Sequence, residues 1–288
     1  MSCPVSNSRF GLEPRSRSKS MVKITDKPIR GPRPFSLSKI TAIIGEMGLR
    51  GTIVGTLLFL LRIWRSWWWD RSHNVTTRHR IPLSKLDITG PSATYARFYE
   101  PSDAKCLPAL LRRLNIQYSD FVFIDFGAGQ GKTMLLAAEF PFKHVLGVEI
   151  SPMLSKQARA NCESFRGKRQ ACNSLEVRCE DAAEFIFPNV PLVIYMFNPF
   201  SEEIISRILK NLAQSISMRP REVFLIYYNP LHSHTIEGCR AFELCFEGTD
   251  EWDYRKLRYN VFRATKSGLN DAATGQLARL KSDPMSAG

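Results

Sequence analysis

Phe121–Lys132 reads FVFIDFGAGQGK, and His144–Ile150 reads HVLGVEI. Phe121–Phe126 is a short apolar run fit for a buried strand, with Asp125 as its one acid. Gly127, Gly129 and Gly131 then alternate, letting the backbone bend sharply and approach a ligand with no Cβ in the way. Lys132–Glu139 has helical character and begins with N–H groups that lack intrahelical partners. His144–Ile150 is a second strand. Strand, glycine bend, helix and strand make one βαβ unit, and an open α/β sheet builds its ligand crevice at the carboxyl ends of such strands.

The pattern continues outward in both directions. Upstream, Ala104–Leu114 is an apolar-periodic helix. Downstream, Ser151 and Pro152 open a helix running to Phe165, with proline at the first helical position. Leu175–Cys179 and Leu192–Phe197 read as strands, Glu202–Leu212 as a helix and Glu222–Tyr228 as a strand. Two β-like stretches close the series, Ala241–Phe246 and Tyr254–Ala264, with no helix between them. Strands apolar enough to be buried on both faces and spaced by helices predict a mostly parallel sheet. The expected fold is therefore α/β: seven strands, helices on both faces and an antiparallel hairpin at one edge.

The 288 residues are 44% hydrophobic and 23% charged, which excludes a disulfide-stapled scaffold and a wholly disordered chain. Seven cysteines, an odd number with no CxxC pair, suit a reducing compartment, hence the cytoplasm. His232, His234, Cys239 and Cys245 fit no zinc spacing, and no metal is expected. The net charge of +13 is uneven: residues 1–80 hold 15 basic and 4 acidic side chains, and the remainder is close to neutral. Residues 1–38, rich in Ser, Arg, Lys and Pro, read as a disordered basic tail. Residues 39–69 read as an apolar or amphipathic helix. Gly51–Leu61 carries no charge, and Trp64, Trp67, Trp68 and Trp69 crowd its basic end. Packing on the domain, lying in a membrane interface and spanning a bilayer all remain open for it. A peripheral contact of residues 1–69 with anionic membrane is expected, and nucleic acid is not excluded as a partner. Residues 70–265 read as the α/β domain and 266–288 as a polar tail.

A dinucleotide fold wants G-x-G-x-x-G with the pyrophosphate on the helix start, and here the third glycine arrives one residue early. Asp125, two residues before the first glycine, would repel a pyrophosphate and suits an ammonium group. S-adenosylmethionine (SAM) offers one on its methionine end and has no phosphate. Glu149, at the end of the second strand, suits a carboxylate accepting both ribose hydroxyls. Asp181, after the third strand, supplies an acid near the adenine amino group. With Ala128, Ile150 and Ala182 beside them, these residues and the three glycines form the expected cofactor site.

FVFIDFGAGQGK and VLGVEIS resemble the first two motifs of class I SAM-dependent methyltransferases. The likeness extends to a bacterial group of predicted methyltransferases. Its landmarks here are Asp70–Thr76 (DRSHNVT), Tyr99–Ser102 (YEPS), Ala137–Phe142 (AAEFPF), the FNPF run ending at Phe200, and Tyr227–His232 (YYNPLH). It covers roughly Trp69–Phe246. The departures are Phe126, Ala128 and Gln130, where relatives more often carry Leu, Ser and Lys; the glycine frame is intact. The resemblance implies a Rossmann-like methyltransferase fold and SAM as cofactor. It names no acceptor. It also puts Tyr99 and Glu100 before the helix that lids the cofactor, where Glu100 could hold the methionine ammonium or an acceptor amine.

Leu192–Phe197 runs into Asn198-Pro199-Phe200, where amino-methylating enzymes of this class carry an (Asp/Asn)-Pro-Pro-(Tyr/Phe) turn. A planar amine can donate to the Asn oxygen and a backbone carbonyl while an aromatic ring stacks on it. With one proline in place of two, Phe200 falls a residue early, and a rigid turn with Phe200 in the core is the competing reading. Asn198, Pro199, Phe200 and Tyr99 are the candidate catalytic residues, and Asn198 also borders the cofactor. Tyr227 and Tyr228 are secondary candidates, Tyr227 reading first as a packed core aromatic. The acceptor, a small molecule or a protein, is expected to present nitrogen. A protein-lysine methyltransferase and a non-catalytic SAM-binding protein at a membrane are the alternatives; an NAD enzyme fits the glycine spacing poorly.

Overall fold

The structure, a computed structural model, describes residues 37–79, 81, 105–197, 200–250 and 256–265. The expected N-terminal tail up to residue 36, the YEPS segment with Tyr99 and Glu100, Asn198 and Pro199, and residues 266–288 lie outside them. Residues 1–52 and 53–288 form two compact units. Helix α1 (Leu37–His73) has one non-helical position, Gly48, with φ of 69°. Its stretch Ile53–His73 belongs to the second unit, as does everything that follows.

The sheet has strands β1 (Val122–Phe126), β2 (His144–Val148), β3 (Leu175–Arg178), β4 (Leu192–Phe197), β5 (Val223–Tyr228), β6 (Phe242–Thr249) and β7 (Arg258–Ala264). Their spatial order is β3-β2-β1-β4-β5-β7-β6. The first five are parallel, and β7 pairs antiparallel with both β5 and β6. This is the fold expected from the sequence. The direction of the chain reverses where the helix signal stops, because a short connection can join only antiparallel neighbours.

Alternation along the strands divides the core between two faces. Phe123, Val145, Val193, Tyr195 and Tyr228 point to one face, with helices α2 (Cys106–Leu114), α3 (Lys132–Ala137) and α4 (Pro152–Ser164). Ile124, Phe126, Leu146, Met196 and Tyr227 point to the other, covered by α5 (Glu202–Met218) and α6 (Ser233–Glu237). Helix α4 starts as expected, Ser151 Oγ accepting the Leu154 N–H at 3.3 Å. Helix α5 runs six residues beyond the predicted Leu212, because Ile216 extends the buried stripe of Ile204, Ile208 and Leu212 by one more turn. Each such side chain contributes about 1.5–3 kcal/mol on burial. The five-residue α6, unexpected from sequence, buries only Ile236.

Gly147 on β2 positions the site from below. A Cβ there would lie 2.2 Å from Met134 Sδ and 2.9 Å from the Ala128 methyl. The bare strand is what lets α3 and the glycine bend settle onto the sheet.

Candidate functional site

The bend after β1 turns through three left-handed glycines, with φ of 76° at Gly127, 57° at Gly129 and 85° at Gly131. Any side chain is strained at such angles, which accounts for the alternate spacing. The N–H groups of Gly127 and Ala128 share the Val148 carbonyl at 2.9 and 3.1 Å, locking the bend to the end of β2. Gly127 is exposed, while Gly129 and Gly131 are buried.

Glu149 has a role the sequence did not reveal. Its Oε2 accepts the Gly129 N–H at 2.8 Å, and its Oε1 accepts the Ser151 N–H at 2.9 Å. One carboxylate thus braces both the bend and the start of α4. Burial raises its pKa, against these backbone hydrogen bonds, which lower it. Asp125 is only 3% exposed, and its Oδ2 has no hydrogen-bond partner. Burial first, and then the Glu149 charge, hold its pKa well above the ordinary carboxylate value. Asp125 and Glu149 are therefore brought together around the bend.

The third acid stands apart in function. Asp181 caps a short 3-10 turn, its Oδ1 accepting the Ala183 N–H at 2.9 Å, beside the buried Ala182. Because β3 pairs with β2 up to Val148 opposite Arg178, Asp181 still follows the same carboxyl edge of the sheet. Ile150 lies between Glu149 and the cap of α4 and is half-buried.

At the end of β4, Phe200 is half-buried, its ring edge-on to Phe126 with centroids 6.5 Å apart. Its ring packs against the core face that α5 covers. Asn198 and Pro199 lie outside the described residues, as do Tyr99 and Glu100. Tyr227 and Tyr228 are both fully buried. Tyr228 donates its hydroxyl to Asp250 Oδ2 at 2.5 Å, and burial together with Tyr195 and Asp250 pushes its pKa far up. It is a neutral donor in the core.

The structure also gives work to residues without a sequence-based role. Asn161, on the buried face of α4 with Leu154, Ser155 and Ala158, donates to the carbonyls of Gln130 and Thr76 at 2.8 and 2.9 Å and accepts the Thr76 N–H at 2.9 Å. Gln130 donates to the His79 carbonyl at 3.2 Å. Lys132 Nζ lies 3.1 Å from Ser66 Oγ and 5.1 Å from the Trp69 ring centroid. Asp70 accepts both the N–H and the hydroxyl of Thr77, at 2.8 and 2.6 Å, and His73 stacks between Trp69 and Phe165. The DRSHNVT segment thus fastens the end of α1 to the outside of the bend. A polar residue on an apolar helical stripe, as at Asn161, was the available signal. Among the described residues no three His, Cys, Asp or Glu side chains gather as a metal would require.

Residues 95–187 match the family model of the histone methylation protein DOT1, less than half of the chain. No curated protein matches in sequence. Among solved structures, a putative RNA methyltransferase from Pyrococcus horikoshii is 22% identical, with 64% of this chain and 94% of that one covered and a TM-score of 0.42. The magnesium protoporphyrin IX methyltransferase of Synechocystis, solved with bound SAM, is 16% identical over 55% of this chain and 76% of its own, with a TM-score of 0.42. A tRNA methyltransferase of B. subtilis is 17% identical over 56% and 65%, with a TM-score of 0.43. Five parallel strands with an antiparallel pair at one edge, in the order found here, make a Rossmann-like α/β fold.

Proposed function

We propose that this protein is a SAM-dependent methyltransferase that holds SAM at the carboxyl ends of β1, β2 and β3 and methylates a nitrogen acceptor beyond the end of β4. The observation that carries the cofactor half is the Asp125 carboxylate, buried with an unpartnered oxygen at a bend only glycines can make. An ammonium group supplies the missing hydrogen bond and draws the pKa back down. A pyrophosphate would instead meet two acids. Glu149 has spent two of its roughly four lone-pair positions on backbone and keeps the others for ribose hydroxyls. Asp181 is the acid nearest the adenine amine in this reading, with Ala128, Ile150 and Ala182 lining the same strand ends. Glu100 is a second candidate for the ammonium, on its sequence alone. The bound cofactor supplies the electrophilic methyl, and the protein contributes placement.

The nitrogen acceptor rests on Asn198-Pro199-Phe200, which directly follows a strand paired with β1. An amide oxygen and a backbone carbonyl there can accept from a planar amine. Tyr99 is a further contact in this reading, and Phe200 gives the turn its footing against Phe126. Methyl-labelled SAM incubated with the protein and cell extract should yield an N-methyl product. Product methylated only on oxygen or sulfur overturns the acceptor; absence of SAM-dependent stabilisation overturns the cofactor site.

Protein-lysine methylation is the second reading, favoured by the family-model match over residues 95–187. It predicts protease-sensitive label on lysine. A protein that only binds SAM would be stabilised by it and turn nothing over.

A further inference from the structure

The geometry points to Ile53–Trp68 of α1 as a docking element for an anionic phospholipid surface. Within the unit formed by residues 53–288, this stretch leaves Ile53, Val54, Leu57, Leu58, Phe59, Leu60, Leu61, Ile63, Trp64, Trp67 and Trp68 between 39% and 58% exposed. Exposed apolar surface on this scale marks an interaction site.

Three observations select the occupant. First, Leu57–Leu61 are five consecutive exposed residues, so there they fall on every side of the helix, while Arg62, Arg65 and Ser66 further along are half-buried. A second copy or a protein groove covers one stripe and would leave the rest in water, whereas lipid surrounds the helix. Second, the charge is of one sign. Arg62 and Arg65 lie within the stretch, and no acid occurs between Glu46 and Asp70. Anionic headgroups complement that sign. Third, Trp64, Trp67 and Trp68 cluster at one end, where indole rings settle at headgroup level. Among the described residues no helix is long and apolar enough to cross a membrane. The element therefore lies in the interface.

Its attachment gives the docking a consequence. The stretch ends at Trp69, whose ring stacks on His73 and faces Lys132 at the glycine bend. Lipid contact thus begins beside the cofactor site. The inference is independent of which acceptor is methylated, because its readout is vesicle capture.

The test uses the full chain with phosphatidylcholine vesicles, with and without phosphatidylglycerol. Capture by the anionic vesicles alone is expected, weakening as salt rises. Trp64→Ser, Trp67→Ser and Trp68→Ser together should abolish capture, with circular dichroism and SAM-induced stabilisation retained, since these side chains are exposed. Equal capture by neutral vesicles, or none by either, overturns the inference. Undiminished capture of the triple variant overturns it too, assigning binding to the basic N-terminal residues. So does a dimer that the triple variant dissolves without vesicle capture, which makes the occupant a second copy.

Discussion

The glycine bend and the exposed stretch of α1 are opposite departures from the rule that polar groups face water and apolar ones hide. At the bend, a carboxylate is buried with an oxygen that nothing in the fold satisfies. Along Ile53–Trp68, aliphatic and aromatic side chains stand in water beside a well-packed domain. Neither departure stabilises the isolated chain. A buried polar group without a partner costs about 1–3 kcal/mol, and more when charged. What joins the two places is Trp69–Thr77, where hydrogen bonds and stacked rings hold the end of the helix to the outside of the bend. The difference teaches that this helix is attached by polar anchors at its end, while its apolar length is left for something outside the fold.

The comparison breaks most completely at Gly147. Gly147→Val drives a side chain into Met134 and Ala128, so a loss of about 3 kcal/mol is expected in chemical denaturation. Combining it with Met134→Ala should restore part of that, which tests whether α3 is the element displaced. Next comes the anchor. Asp70→Ala removes the carboxylate that accepts the buried Thr77 N–H and hydroxyl, and a loss of roughly 2 kcal/mol is expected. Protease should then cut within Ile53–His73 while the sheet stays resistant.

Asp125→Asn sharpens the comparison, since stability and binding should move in opposite directions. Without ligand the variant should gain on the order of 1 kcal/mol at neutral pH. At a SAM concentration 100 times the wild-type Kd it should miss the ~2.7 kcal/mol of stabilisation that the wild type shows. The pH dependence has a definite sign. A raised folded pKa means that the folded state binds more protons than the unfolded one. The stabilising contribution of Asp125 is full below the ordinary value of 3.8 and is lost as pH rises through the raised one. The stability gap between Asp125→Asn and wild type, followed by thermal melting, should therefore close on acidification; a gap constant with pH would contradict the buried, unpartnered acid. The smallest effect is at Leu57→Ser, 55% exposed in the wild type, where stability in solution should change by about 0.5 kcal/mol or less.

The sheet was legible because its strands are nearly uninterrupted apolar runs: Leu192–Phe197 is strand over the same residues predicted for it. The hairpin was legible from two β-like stretches with no helix between them. Helix α6 was not, because five residues with one buried side chain carry no period to detect. At the site, the three glycines and Asp125 announced themselves by type and spacing. Glu149 was placed correctly at its strand end, but its grip on the Gly129 and Ser151 N–H groups depends on how two neighbouring loops meet.

Residue type and order alone determined the α/β alternation, the left-handed bend and the row of acids at strand ends, since each follows from local backbone sterics and the burial of short apolar runs. Only the tertiary structure decided that Asp125 has an oxygen with no partner, that Asn161 ties Thr76 to Gln130 across 85 and 31 residues, and that α1 is fastened at Ser66 and Trp69 while its apolar side chains from Ile53 to Trp64 stay exposed. Those facts depend on which distant groups arrive within hydrogen-bonding reach, and that is settled when the chain packs.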